Sequence, residues 1–74
     1  MTPENTDEEK LKSLLEYGIS HNSEHEEEIN EWAKTAKQLN AHQAHDHLIK
    51  ASEELGKVTD NLAKALKQLN KKEG

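Results

Sequence analysis

Ser20–Trp32 reads SHNSEHEEEINEW, and its register decides how the rest of the chain packs. Stepping alternately by four and three residues from Leu11 gives Leu11, Leu15, Gly18, Asn22, His25, Ile29, Trp32, Ala36 and Leu39, a heptad seam with a polar middle. Asn22 and His25 interrupt an otherwise apolar stripe. His21 and Glu28 flank them, so His21, His25 and Glu28, at i, i+4 and i+7, project from one helical face. Polar groups in a packing stripe cost stability, and that cost calls for a reason.

Upstream, Met1–Asn5 has no periodicity, and residues 1–6 are expected to form a disordered leader. Thr6 and Glu9 have capping-box spacing, and Asp7, Glu8 and Glu9 place negative charge where a helix dipole favours it. A helix is therefore predicted from about Asp7 to Leu39. Gly18 is a candidate break, yet the seam keeps its phase through it. The spacing favours one helix, bent at most at Gly18. Asn40 follows, a residue that tolerates a left-handed turn and has capping-box spacing to Gln43.

A second seam then runs Ala41, Ala44, Leu48, Ala51, Leu55, Val58, Leu62, Ala65 and Leu69, widened by Ile49 and Leu66. This predicts a second helix to about Asn70 within a single domain of residues 7–71, followed by a frayed tail at 72–74. Gly56 lies off the seam, marking either a close contact with another chain or a tolerated flaw. Lys50, Lys57, Lys64 and Lys71 recur every seven residues and form a solvated outer column.

Two helices joined near Asn40 must run antiparallel, with facing residue numbers summing to roughly 80. The fold class is thus all-α, an antiparallel helical hairpin. Asn22, Ile29 and Trp32 of the first helix and Leu48, Leu55 and Leu62 of the second supply its interface. A lone hairpin leaves Leu14, Ile19, Ile49 and Leu66 at the edges of the seam. Dimerisation into a four-helix bundle covers them. The alternative is a three-helix bundle made by a break at Gly18.

With 74 residues, one core stabilises a monomer by only about 3–5 kcal/mol. Cysteine is absent, so disulfides and thiolate metal sites are excluded and a reducing cytoplasm fits best. The formal charge is −5, and all ten basic residues are lysine. Both features oppose nucleic acid or an anionic membrane as partner, since arginine is the residue that reads bases and phosphates bidentately. No apolar run approaches the ~18 residues of a membrane span.

The five histidines fall in two groups, His21 with His25, and His42 with His45 and His47. Imidazoles at i and i+4 can share a zinc, nickel or cobalt ion, with Glu28 completing the set. The plainer reading leaves His21 in solvent and satisfies His25 through Asn22, Thr59 or water. The second group is near the turn, roughly 12–15 Å along the axis from His25, so a site using both would lie between subunits. The order His-x-x-Glu is the reverse of the Glu-x-x-His of di-iron bundles, and the second seam offers no matching carboxylate. With no nucleophile–base pair and no glycine-rich phosphate loop, the chain is not expected to be an enzyme.

The block LLEYGISHNSEHEEEINEWAKTAKQL, followed by a helix of the form AxxxLxxAxxxLxxVxxxLxxAL, resembles a family of very short prokaryotic helical proteins of unknown function. They carry a His-Asn-x-x-His block and a tryptophan, matched here by His21, Asn22, His25 and Trp32 across about residues 11–69. The resemblance implies the helical fold. A further upstream histidine and tryptophan in such proteins suggest a metal site, but Tyr17 and Gly18 stand there in this chain. Together these features predict a self-associating protein-interaction or accessory module with no cofactor. Transition-metal binding through His21, His25 and Glu28 is the alternative.

Overall fold

The computed structural model describes the backbone of residues 3–73 and the side chains of residues 7–71. Two helices make up the fold: α1 (Pro3–Gln38) and α2 (His42–Glu73), packed against each other as an antiparallel hairpin. The molecule is a rod of 58 × 15 × 13 Å. Its radius of gyration is 16.9 Å, against about 11 Å for a globular chain of this length.

α1 starts about a turn earlier than Thr6 capping would have it. Pro3 occupies the first position, where its missing N–H is not needed, and Thr6 lies inside the helix. α2 likewise runs past Asn70 to Glu73. Helix thus extends into both predicted flanks; Met1, Thr2 and Gly74 lie outside the described residues. Gly18 does not break α1, so the three-helix alternative is excluded.

The turn is built from the chain's one described non-glycine residue with positive φ, Asn40 at 61°. Its N–H donates to the Lys37 carbonyl at 3.0 Å, and the Ala41 N–H donates to the Ala36 carbonyl at 2.9 Å. This pair of bonds is a Schellman motif, with Asn40 in the left-handed position. His45 N–H then donates to the Ala41 carbonyl at 2.9 Å, so Ala41 rather than Asn40 is the residue from which α2 starts. The predicted Asn40–Gln43 capping box is not formed.

The facing register agrees with the expected sum near 80. A β-carbon placed on Gly18 would lie 3.4 Å from Leu62 Cδ1. One placed on Gly56 would lie 2.9 Å from Glu26 Oε2, so the close neighbour of Gly56 is its own α1.

The seam itself is rotated from the expected one. Half-buried and buried positions recur in α1 at Lys12, Leu15, Ile19, Asn22, Glu26, Ile29, Ala33 and Ala36, with Gly18 and His25 half-buried at the margin. In α2 they recur at His45, Leu48, Ser52, Leu55, Thr59, Leu62, Leu66 and Leu69, with Ile49, Ala51 and Gly56 half-buried at the margins. Let residues 12, 19, 26 and 33, and 45, 52, 59 and 66, take heptad position a. The d rows, 15, 22, 29 and 36 with 48, 55, 62 and 69, are then those the sequence predicts. The partner row is a, one residue later than expected.

Trp32 and Val58 therefore leave the hairpin seam, 53% and 48% exposed, while the next residues along, Ala33 and Thr59, enter it. The cause is steric. A turn this short holds the two axes close together, and their separation is set by the side chains between them. Ala33, Ala36 and Ser52, all small, are the buried residues among those described; an indole between the helices would wedge them apart.

Candidate interaction face

With a and d engaged inside the hairpin, the longest rows of unused apolar residues fall in position g, while Leu14, Tyr17 and Ile49 stand apart in positions c, f and e. In α1 this row is Leu11, Gly18, His25, Trp32 and Leu39; in α2 it is Ala44, Ala51, Val58 and Ala65. An antiparallel pair places g beside g on one side and e beside e on the other. Leu11 and Ala65 accordingly line one shared groove with Leu15 and Leu69. The two g rows merge into a strip along the rod that is apolar except at His25.

The opposite side has a different character. There Asn30, Lys37 and Ile49 lie in a groove edged by Glu24, Glu27, Glu31 and Lys34. Lys34 Nζ is 3.1 Å from Glu31 Oε2, an exposed i, i+3 pair. Lys50, Lys57, Lys64 and Lys71 occupy the outermost row of α2 and are all exposed, with Lys64 Nζ 3.2 Å from Asp60 Oδ2. That side and the back of the rod are mostly charged, with Ile49, Leu14 and Tyr17 as their apolar exceptions.

The g strip is large. Leu11 and Leu39 at its two ends are 45% and 72% exposed. The chain as a whole exposes 5815 Å², about 1,200 Å² more than a globular monomer of its 8.4 kDa mass would, as an elongated rod must.

The histidine face sits beside this strip. Tyr17, His21 and His25 form a ladder, with the Tyr17 and His21 rings stacked at 5.4 Å and the His21 and His25 rings edge to face at 4.6 Å. His25 Nδ1 is 3.5 Å from Glu28 Oε1. The three sequence-predicted residues are thus neighbours. Among the described residues, however, no group of three or more His, Asp or Glu side chains is arranged to hold a metal ion. The Thr59 hydroxyl donates to the Leu55 carbonyl at 3.0 Å, and the ion-pair neighbour of His25 is Glu28.

His45 and His47 diverge as their spacing requires. His45 is half-buried in the seam with Nδ1 3.1 Å from Asp46 Oδ1, and His47 is exposed. Of the predicted interface residues, Asn22, Ile29, Leu48, Leu55 and Leu62 line the hairpin seam, whereas Trp32 belongs to the outer strip. Reading two rows per helix overlooked Ile19, Ala33 and Leu66 as seam members. The available signal was width: apolar residues spill beyond rows d and g into row a at Ile19, Ala33 and Leu66.

Among the described residues no helix is long and apolar enough to cross a membrane. No curated protein and no solved structure matches the chain. A family is matched across residues 11–69, from the first g-row leucine to the last d-row leucine, and this chain therefore belongs to the family described as "Domain of unknown function (DUF8180)".

Proposed function

We propose that the chain is a non-catalytic, self-associating helical module that works through its g-row strip. The observation that carries this reading is the g-row strip itself: Leu11, Trp32, Leu39 and Val58 stand exposed along one side of the rod, while the lysine column of α2 stands away from it. A stable interface of standard size takes roughly 800 Å² from each partner, and one long face of a 58 × 15 × 13 Å rod is of that order. Exposed apolar strips of this extent mark association surfaces. Two hairpins packed strip to strip make a four-helix bundle and give the g row of each helix a second neighbour.

Folding coupled to association depends on protomer concentration. Thermal melts followed by circular dichroism over about a hundredfold dilution should therefore show a falling Tm, and sedimentation equilibrium should return twice the chain mass. A concentration-independent melt together with a monomeric mass would overturn the reading.

A further inference from the structure

The geometry points to a particular mate for the strip: a second copy of the chain laid across it with its turn at the opposite end, so that Trp32 of each copy fills the notch left by Gly18 of the other. This inference rests on the self-association reading and specifies its partner, orientation and central contact.

The strip is self-complementary about one level. In α1 the g row is symmetric around His25: Gly18 and Trp32 lie seven residues to either side, and Leu11 and Leu39 fourteen. In α2 the g row is centred between Ala51 and Val58, with Ala44 and Ala65 equally spaced beyond them. These two centres are level with each other, because facing residues in this hairpin sum to about 80, as the Gly18–Leu62 approach shows. A single twofold axis across the rod at His25 therefore pairs both rows at once.

Under that axis leucine meets leucine at both ends, alanine meets alanine or valine along α2, and the one tryptophan meets the one glycine of the strip. Size complementarity is the deciding feature. Trp32 is the largest side chain on the strip and stands 53% exposed, while Gly18 offers a gap whose floor is the Leu62 side chain, 3.4 Å from where a β-carbon would sit. Interfaces between copies related by a twofold axis are isologous, so a knob and a hole equidistant from the axis are used twice. Packing with both turns at the same end would instead set each Trp32 against the alanine-bearing row of α2 and leave Gly18 facing no knob.

The native chain has no cysteine, so one nitroxide attached at Gln38→Cys, an exposed site beside the turn, reports orientation by double electron–electron resonance. The proposed dimer puts the two labels about 40 Å apart, since each lies about 20 Å along the axis from the level of His25. A distance under about 30 Å would mean turns at the same end and would overturn this arrangement while leaving self-association standing. No dipolar coupling at high protein concentration would overturn both.

The central contact is tested by exchanging its sizes. Gly18→Leu and Trp32→Ala should each raise the dimer dissociation constant at least tenfold, with helicity at high concentration showing that the hairpin is intact. Their combination should restore most of the loss, because leucine at 18 then fills the space the indole vacates. Additive losses in the double variant would overturn the Trp32–Gly18 pairing.

Discussion

The Glu26 carboxylate reaches across the seam to Gly56: its Oε2 would be only 2.9 Å from a β-carbon at that position. A charged group thus occupies an a position, half-buried, where the absence of a side chain on α2 gives it room.

Glycine inside a helix costs about 0.5–1 kcal/mol relative to alanine. The atom in the way at Gly56 is the far end of a flexible side chain, which can swing outward to solvent. Gly56→Ala is therefore expected to raise stability by roughly 0.5 kcal/mol, a Tm rise of a few degrees in a domain this small. A drop in Tm would show that the Glu26 conformation is fixed by contacts stronger than the helix propensity gained.

Asn40 carries the turn at φ 61°. A β-branched or alanine side chain in the left-handed region costs about 1 kcal/mol or more, asparagine less, and glycine least. The expected order of Tm is Asn40→Gly at or above wild type and Asn40→Ala below it by several degrees. Equal melts for all three would mean that the left-handed backbone at position 40 carries no side-chain cost and does not limit stability.

The heptad phase through Gly18, the antiparallel sense and the level of each facing pair were legible in the sequence, because loop length and period determine them together. The rotation of each helix was not. Leu15, Asn22 and Ile29 serve equally well with the row before them or the row after, and apolarity favours Leu11 and Trp32 over Lys12 and Ala33. What overrode apolarity was the closeness of the axes near a short turn, which selects small side chains at Ala33, Ala36 and Ser52. The same rotation moved His25 from the seam to the outer strip, so its polar character bears on contacts between molecules rather than within one.

Zinc discriminates the alternative reading. His21 and His25 pack edge to face at 4.6 Å, and Glu28 approaches only the Nδ1 edge of His25, an arrangement of one imidazole pair without a third converging donor. Added zinc or nickel is expected to leave Tm unchanged at neutral pH. A saturating rise, abolished by His21→Ala and by His25→Ala but not by His45→Ala, would instead establish metal-coupled folding through mass action.

Asn22 and His25 break the apolar pattern for different reasons, and leucine at each position separates them. Asn22 lies half-buried in the seam, so Asn22→Leu should add roughly 1 kcal/mol of apolar burial. Register within the hairpin is already held by the Asn40 turn, so this variant should melt several degrees higher with an unchanged Gln38→Cys label distance. His25 lies outside the seam, at the centre of the strip. His25→Leu should strengthen association by removing a polar group from the middle of an apolar contact, and should also weaken the penalty against other alignments, as loss of a buried polar residue does in coiled coils. The measurable signature is a tighter dimer with a broader distribution of label distances. Tighter binding with an unchanged distribution would place the orientation wholly in the Trp32–Gly18 fit, and weaker binding would show that His25 makes a favourable polar contact across the axis.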